Sequence, residues 1–194
     1  MTSVSYKVDE AGVGPATSHL AAIDQVVARL RQTAATRKTH DLAWRRRQLN
    51  AMRRMLDENE SVLLEAAASD SGKPARETLF SELLAVKPEL SHARKNVQRW
   101  VKPHRVPMPW WSKPGRAMVR PQPRGVVCII GPWNYPVQLT MQPLIAALAA
   151  GNCVVIKPSE LMPACAAALA DLIPRYFDPD ALAVVTGGPA ETQA

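Results

Sequence analysis

The sequence predicts an α/β fold: a helical first half, a β-hairpin arm, and then three parallel strands that form the first half of a doubly wound sheet. Three observations lead there. Between residues 18 and 100, apolar residues recur at steps of three and four, the period of helices that bury one face. Nine of the 17 prolines fall at 103–143, where helices cannot run unbroken. From residue 126 onward, short continuous apolar runs alternate with helical segments, as buried parallel strands joined by crossover helices do.

Residues 1–17 are small and polar and read as a flexible terminus. Ser18 is positioned to cap a helix reaching about Ala35, with Leu20, Ile23, Val27 and Leu30 on one face. Asp41 caps a second helix, with Leu42, Leu49, Met52 and Leu56 inside and Arg45, Arg46, Arg47, Arg53 and Arg54 outside. A third, short helix covers 61–68 and stops near Ser71-Gly72. Leu79, Leu83, Val86, Leu90, Ala93, Val97 and Trp100 follow alternating steps of four and three. That spacing suits a helix packed on a core better than a coiled coil, because three heptads are too few, and Pro88 should kink or split it.

Residues 106–111 and 116–120 flank Ser-Lys-Pro-Gly and read as a hairpin arm. Pro107 and Pro109 confine it to a sheet edge, and an exposed Trp110-Trp111 pair there needs a partner surface. Val126–Ile130 reads as a doubly buried strand, 136–150 as a helix, and 153–156 as a second strand. A helix over 163–177, its regular part ended by Pro174, leads to a third strand at 182–185. The segments divide into a terminus (1–17), a helical part (18–104), an arm (105–124) and a partial Rossmann-like β-α-β-α-β unit (125–194).

Composition excludes several classes of function. Hydrophobic residues make up 47%, too many for a disordered chain. The formal charge of +7 is uneven: residues 1–120 carry a net +9 and residues 121–194 a net −2. No helix-turn-helix, zinc-finger or aromatic-platform pattern accompanies the arginines, so they read as a solvated face and no nucleic-acid partner is expected. Cys128, Cys153 and Cys165 lack paired spacing and read as small core residues, so no disulfide framework or metal site is expected. No signal-peptide or membrane-length apolar run is present, which makes a cytoplasmic protein with no membrane partner the expectation.

Ligands of open α/β sheets bind at the carboxyl ends of the strands, so the informative loops are GPWNYP, KPSE and TGG. In the first, Asn134 is either an N–H donor to an oxyanion or an ordinary turn residue. In the second, Glu160 could accept bonds from a ribose diol and Lys157 could donate to ribose or phosphate. A solvated ion pair is the alternative. The glycines of the third allow a flat ring to approach closely, or simply end a strand.

Taken together and in order, PRGVVCIIGPWNYP, AAGNCVVIKPSE and VVTGG, preceded by KNVQRWVKPHRV, resemble the aldehyde dehydrogenase superfamily, most closely its class 3-like branch, from about residue 20 to the end. The resemblance implies an NAD(P)-dependent oxidoreductase that turns aldehydes into carboxylic acids through a cysteine thiohemiacetal. It implies that Asn134 is the side-chain donor of the oxyanion hole, and that Lys157, Ser159 and Glu160 lie where the adenosine ribose is held. Ile130, Gly131, Pro132 and Trp133 would line the cofactor, and Gly187 would flank the adenine. NAD is favoured over NADP, because the Glu160 carboxylate repels a 2′-phosphate. The arm implies homo-oligomer contacts or pairing with a second chain.

The resemblance covers only the N-terminal portion of that family, so the fold is expected to be incomplete relative to it. The family's F-T-G-S segment, its E-L-G-G-K stretch with the general-base Glu, and its G-Q-x-C nucleophile do not occur in these 194 residues. The chain alone is therefore expected to be inactive. The alternative is a non-catalytic interaction protein that docks on a full-length subunit of the same family.

Overall fold

A computed structural model describes residues 16–193; of the terminus expected at 1–17, residues 1–15 lie outside them, and residues 16 and 17 already belong to the first helix. The helical part comprises α1 (Ala16–Ala35), α2 (Leu42–Glu58), α3 (Glu60–Ser71), α4 (Ala75–Thr78), a π-helical turn at Leu79–Leu83, and α5 (Val86–Trp100). The arm pairs β1 (His104–Val106) antiparallel with β2 (Ala117–Val119). The remainder is β3 (Val126–Ile130), α6 (Gln138–Ala150), β4 (Cys153–Lys157), α7 (Pro163–Tyr176), β5 (Leu182–Val184) and a short α8 (Pro189–Gln193).

The sheet is parallel with order β3-β4-β5, Val126 opposite Cys153 and Val154 opposite Leu182. Both crossovers advance the same way along it, and right-handed connections therefore place α6 and α7 on one face. Helix α1 contacts β3 and β4, and α2 and α5 pack on α6. One continuous core joins Leu49, Met52 and Leu56 of α2, Leu90 and Val97 of α5, Leu144 and Leu148 of α6 and Ile156 of β4. Every residue of β4 is buried, as befits a central strand.

Several expectations need correction. Helix α1 begins at Ala16, so Ser18 lies inside it. Asp41 does cap α2, accepting from the Ala43 and Trp44 amides at 3.2 and 3.0 Å. The long 79–100 pattern is split rather than kinked: a π-helical turn precedes α5, and Pro88 sits in the first turn of α5, where its missing N–H costs nothing. Trp100 is exposed at the end of α5. The arm strands are only three residues each, because Pro107 and Pro109 cannot donate to a ladder and Trp110–Ser112 forms a 3₁₀ turn. Pro174 does not end α7, which runs on to Tyr176. Strand β3 is buried on one face only, with Ile129 buried and Cys128 and Ile130 of the other face exposed, and among the described residues it is an edge strand paired with β4 alone.

Arg45 is the largest departure from the solvated face expected for the arginines. It is buried; its Nε donates to the Thr39 carbonyl at 3.1 Å and a guanidinium N–H to the Ala149 carbonyl at 3.2 Å. Gly151, at φ 85°, ends α6 beneath it, and a Cβ there would lie 2.6 Å from the guanidinium. A cation thus covers the negative end of α6. At the other end, buried Glu82 accepts from the Val137 and Gln138 amides at 3.0 and 2.9 Å. Burial pushes the Glu82 carboxyl up, and the two backbone bonds pull it back.

Replacing Arg45 with Met should lower stability by about 2–4 kcal/mol, because two buried carbonyls lose a charged donor. Arg47→Met, on an exposed position of the same helix, should change it by less than about 0.5 kcal/mol. Urea unfolding of both variants checks the contrast.

Candidate functional site

Lys157 ends β4 and gathers the three strand-end loops. Its side chain is only 7% exposed, and its ammonium donates to Glu160 Oε2 at 2.7 Å, to the Pro158 carbonyl at 3.0 Å and to the Gly187 carbonyl at 2.9 Å. Those three acceptors engage all three ammonium protons. The Lys157 carbonyl accepts from the Gly131 amide at 2.8 Å, which ties in the first loop. Lys157 is therefore first an organiser of the site, and it could serve a ligand only by giving up one of these bonds. Glu160 stays 43% exposed, with one carboxylate oxygen engaged, and the Lys157 hydrogen bond holds its carboxyl below the ordinary range.

The remaining predicted residues fall around this point. Ile130 and Trp133 are 56% and 62% exposed at the sheet end, apolar surface at the rim of the loops. Gly131 is buried, and a Cβ there would sit 2.5 Å from Thr140 Oγ1, so close approach of α6 requires the glycine. Pro132 is half-buried beside it. Ser159 is buried, with its hydroxyl accepting from the Leu161 amide at 3.2 Å, which shapes the turn. Over Gly187 folds the Glu191 side chain, whose Oε2 accepts from the Gly188 amide at 2.7 Å. Asn134 is exposed and, among the described contacts, its side-chain amide has no partner within the chain.

Sequence reasoning missed the residues that hold these loops. Lys73 donates to the Asn134 carbonyl at 2.6 Å and stands 4.1 Å from the Tyr135 ring centroid. Asp70 caps α7, accepting from the Ala164 and Cys165 amides at 3.0 and 2.8 Å, as Glu82 caps α6. A helical-phase signal existed for two of them: Asp70 follows Leu63 and Ala67 at steps of four and three, and Glu82 lies between Leu79 and Val86 at steps of three and four.

The cysteines divide. Cys153 and Cys165 are buried, as expected. Burial pushes the Cys153 thiol up to about 11 and raises that of Cys165 further. Cys128 is not a core residue. It is exposed on the face of β3 that no strand or crossover helix covers, and it lines a cleft of about 560 Å³ with Ile23 and Val27 of α1, Ile130, Lys157 and Val185. Desolvation there still raises its thiol pKa, with Lys157 opposing.

Comparison with known proteins adds a lineage. A family model described as "Aldehyde dehydrogenase family" matches residues 10–194. "Aldehyde dehydrogenase family 3 member B1" of Homo sapiens is 43% identical over 164 residues, covering 84% of this chain and 35% of its own length. "Aldehyde dehydrogenase family 3 member A2" of Pongo abelii is 43% identical over 166 residues, with coverage of 86% and 34%. The solved structure "Substrate bound state of Staphylococcus Aureus AldH" is similar at a TM-score of 0.86 and 37% identity, over 88% of this chain and 37% of that one. The chain spans about a third of the length of the curated relatives it matches.

The Lys157–Glu160 bond carries a pH signature. A carboxyl held below its ordinary 4.5 in the folded state contributes stability that is present above that value and lost as pH falls through the folded pKa. Lys157→Met should abolish this part of the acid sensitivity. The stability gap between the native chain and the variant should be constant above about pH 5 and shrink below it, as read from urea midpoints across a pH series.

Proposed function

The chain belongs to the aldehyde dehydrogenase family, and we propose that it forms the N-terminal, cofactor-holding part of an NAD(P)-dependent oxidoreductase that converts aldehydes to carboxylic acids. The observation that supports this reading best is the Lys157 hub. One residue brings the three loops to the same end of the sheet: the Lys157 ammonium holds an ionised, exposed carboxylate and a glycine-bearing loop, and its backbone carbonyl holds the first residue of the Asn134 loop.

The residues suit a dinucleotide. The free oxygen of Glu160 accepts hydroxyl protons of a ribose, and its charge disfavours a 2′-phosphate, so NAD is the preferred cofactor of this reading. The side chains of Ile130 and Trp133 offer apolar contact, and a flat ring seated beside β5 at Gly187 would require the Glu191 side chain that folds over that glycine to swing aside. When bound, the nicotinamide supplies the hydride acceptor. Asn134 donates its side-chain N–H to the oxygen of the aldehyde carbon as that carbon becomes tetrahedral, stabilising charge where it develops.

The nucleophile and the general base must come from elsewhere. The three thiols of this chain are all shifted away from the thiolate form that such an attack needs. The 194 residues alone should therefore show no aldehyde-dependent NAD reduction, measured by the absorbance of reduced nicotinamide. A catalytically complete form that adds the missing cysteine and glutamate should turn over, and Glu160→Gln in that form should raise the KM for NAD about tenfold, the loss of one charge-assisted hydrogen bond. Turnover by the isolated chain would refute the assignment.

One observation favours a second role, as a docking partner for a full-length subunit. Trp110 and Trp111 in the arm are 78% and 70% exposed and pack edge-on against each other, 5.9 Å apart, instead of entering the core. Paired exposed aromatics of this kind suit an interface. The double change Trp110→Ser/Trp111→Ser should abolish co-elution with a full-length family subunit while leaving the melting temperature within about 2 °C.

A further inference from the structure

The structure assigns to Lys73 the role of a positioning residue: its ammonium fixes the peptide after Asn134 and thereby the direction in which the Asn134 side chain is presented. The inference rests on the proposed function in one respect, that Asn134 is the oxyanion donor.

Lys73 is placed by stiff chain on both sides. Gly72, at φ 66°, ends α3 in the left-handed conformation and donates to the Ala68 carbonyl at 2.8 Å, and Pro74 follows at once. From this bend the ammonium reaches the Asn134 carbonyl at 2.6 Å and lies 4.1 Å from the Tyr135 ring centroid. The peptide 134–135 is planar, so holding its carbonyl oxygen fixes ψ of Asn134. Backbone angles select the side-chain rotamer, so the amide of Asn134 is aimed as a consequence.

Other constraints do not do this work. Pro132 and Pro136 restrict the residues before them, Gly131 and Tyr135, and Glu82 holds only the Val137 and Gln138 amides. Among the described contacts, Lys73 is the sole side chain bonded to the 132–135 stretch. Its neighbour Asp70, one helical turn earlier, caps α7 at the end of the KPSE loop. The last turn of α3 and the bend that follows it thus hold both loops.

The five asparagines, at 50, 59, 96, 134 and 152, make a test simple. The chain is labelled with ¹⁵N-asparagine and compared as native, Lys73→Met and Lys73→Arg by relaxation measurements. In Lys73→Met, the backbone order parameter at Asn134 should fall from about 0.85 to below about 0.6. Asn59 and Asn152, bonded in the core to Met55 and Ala147, should not change, and Lys73→Arg should restore Asn134. An unchanged Asn134 would overturn the proposal. So would a collapse of all five signals together, because Lys73 would then serve the whole fold, or failure of arginine to restore order. The readout involves neither NAD nor aldehyde, so a failure of the proposed function would not be mistaken for a failure of the clamp.

Discussion

The two loops that carry the site are each closed by a carboxylate that belongs to neither. The first runs from the end of β3 to the start of α6, where Glu82 accepts two amides; the second runs from the end of β4 to the start of α7, where Asp70 does the same. A helix N-terminus leaves its first N–H groups without intrahelical partners and carries partial positive charge, so an acid supplied from outside meets both needs. Both acids come from the helical first half. The parallel unit therefore does not fix its functional loops alone, and the helices before it are part of the site's architecture.

Helix α6 shows how far this dependence goes. With Glu82 at its positive end and Arg45 at its negative end, it is gripped along its axis by two buried charges of the matching sign. Burying either charge alone would be costly; here every interaction is with backbone dipoles that also lack other partners. Lys157 applies the same logic within the sheet. A lysine in a wholly buried strand is tolerable because its three protons meet three acceptors, and those acceptors lie in the loops whose relative placement matters.

How much of this the sequence disclosed follows from the range of each signal. The parallel strands, their crossover helices and the three loops were legible, because apolar runs and turn residues report on their own neighbourhood. The fastening residues were not, because each joins backbone groups 55 to 104 positions away. In composition Arg45 looked like the first of three solvated arginines. Its phase said otherwise: Arg45, Leu49, Met52 and Leu56 fall at steps of four, three and four, so it lies on the apolar stripe. A charge in phase with a core face is a better indicator of a buried partner than its neighbours' chemistry is.

Cys128 illustrates the opposite error. The run VVCII reads as a strand covered on both faces, and residue types alone could not show that β3 has one strand neighbour and an open face. What the run does encode is an apolar surface, and in the structure that surface walls a cleft against α1, with Lys157 at one side and the rim residues Ile130 and Trp133 beyond. A strand as apolar as β3 is suited to cover on both faces, and the free energy of burying Ile130 and the uncovered side of Val126 is still to be gained. The uncovered face and edge of β3 are therefore where further chain, or a partner, has most to contribute to this fold. They lie beside the same loops that Glu82, Asp70 and Lys157 hold in place, so added structure there would complete the site without having to build it.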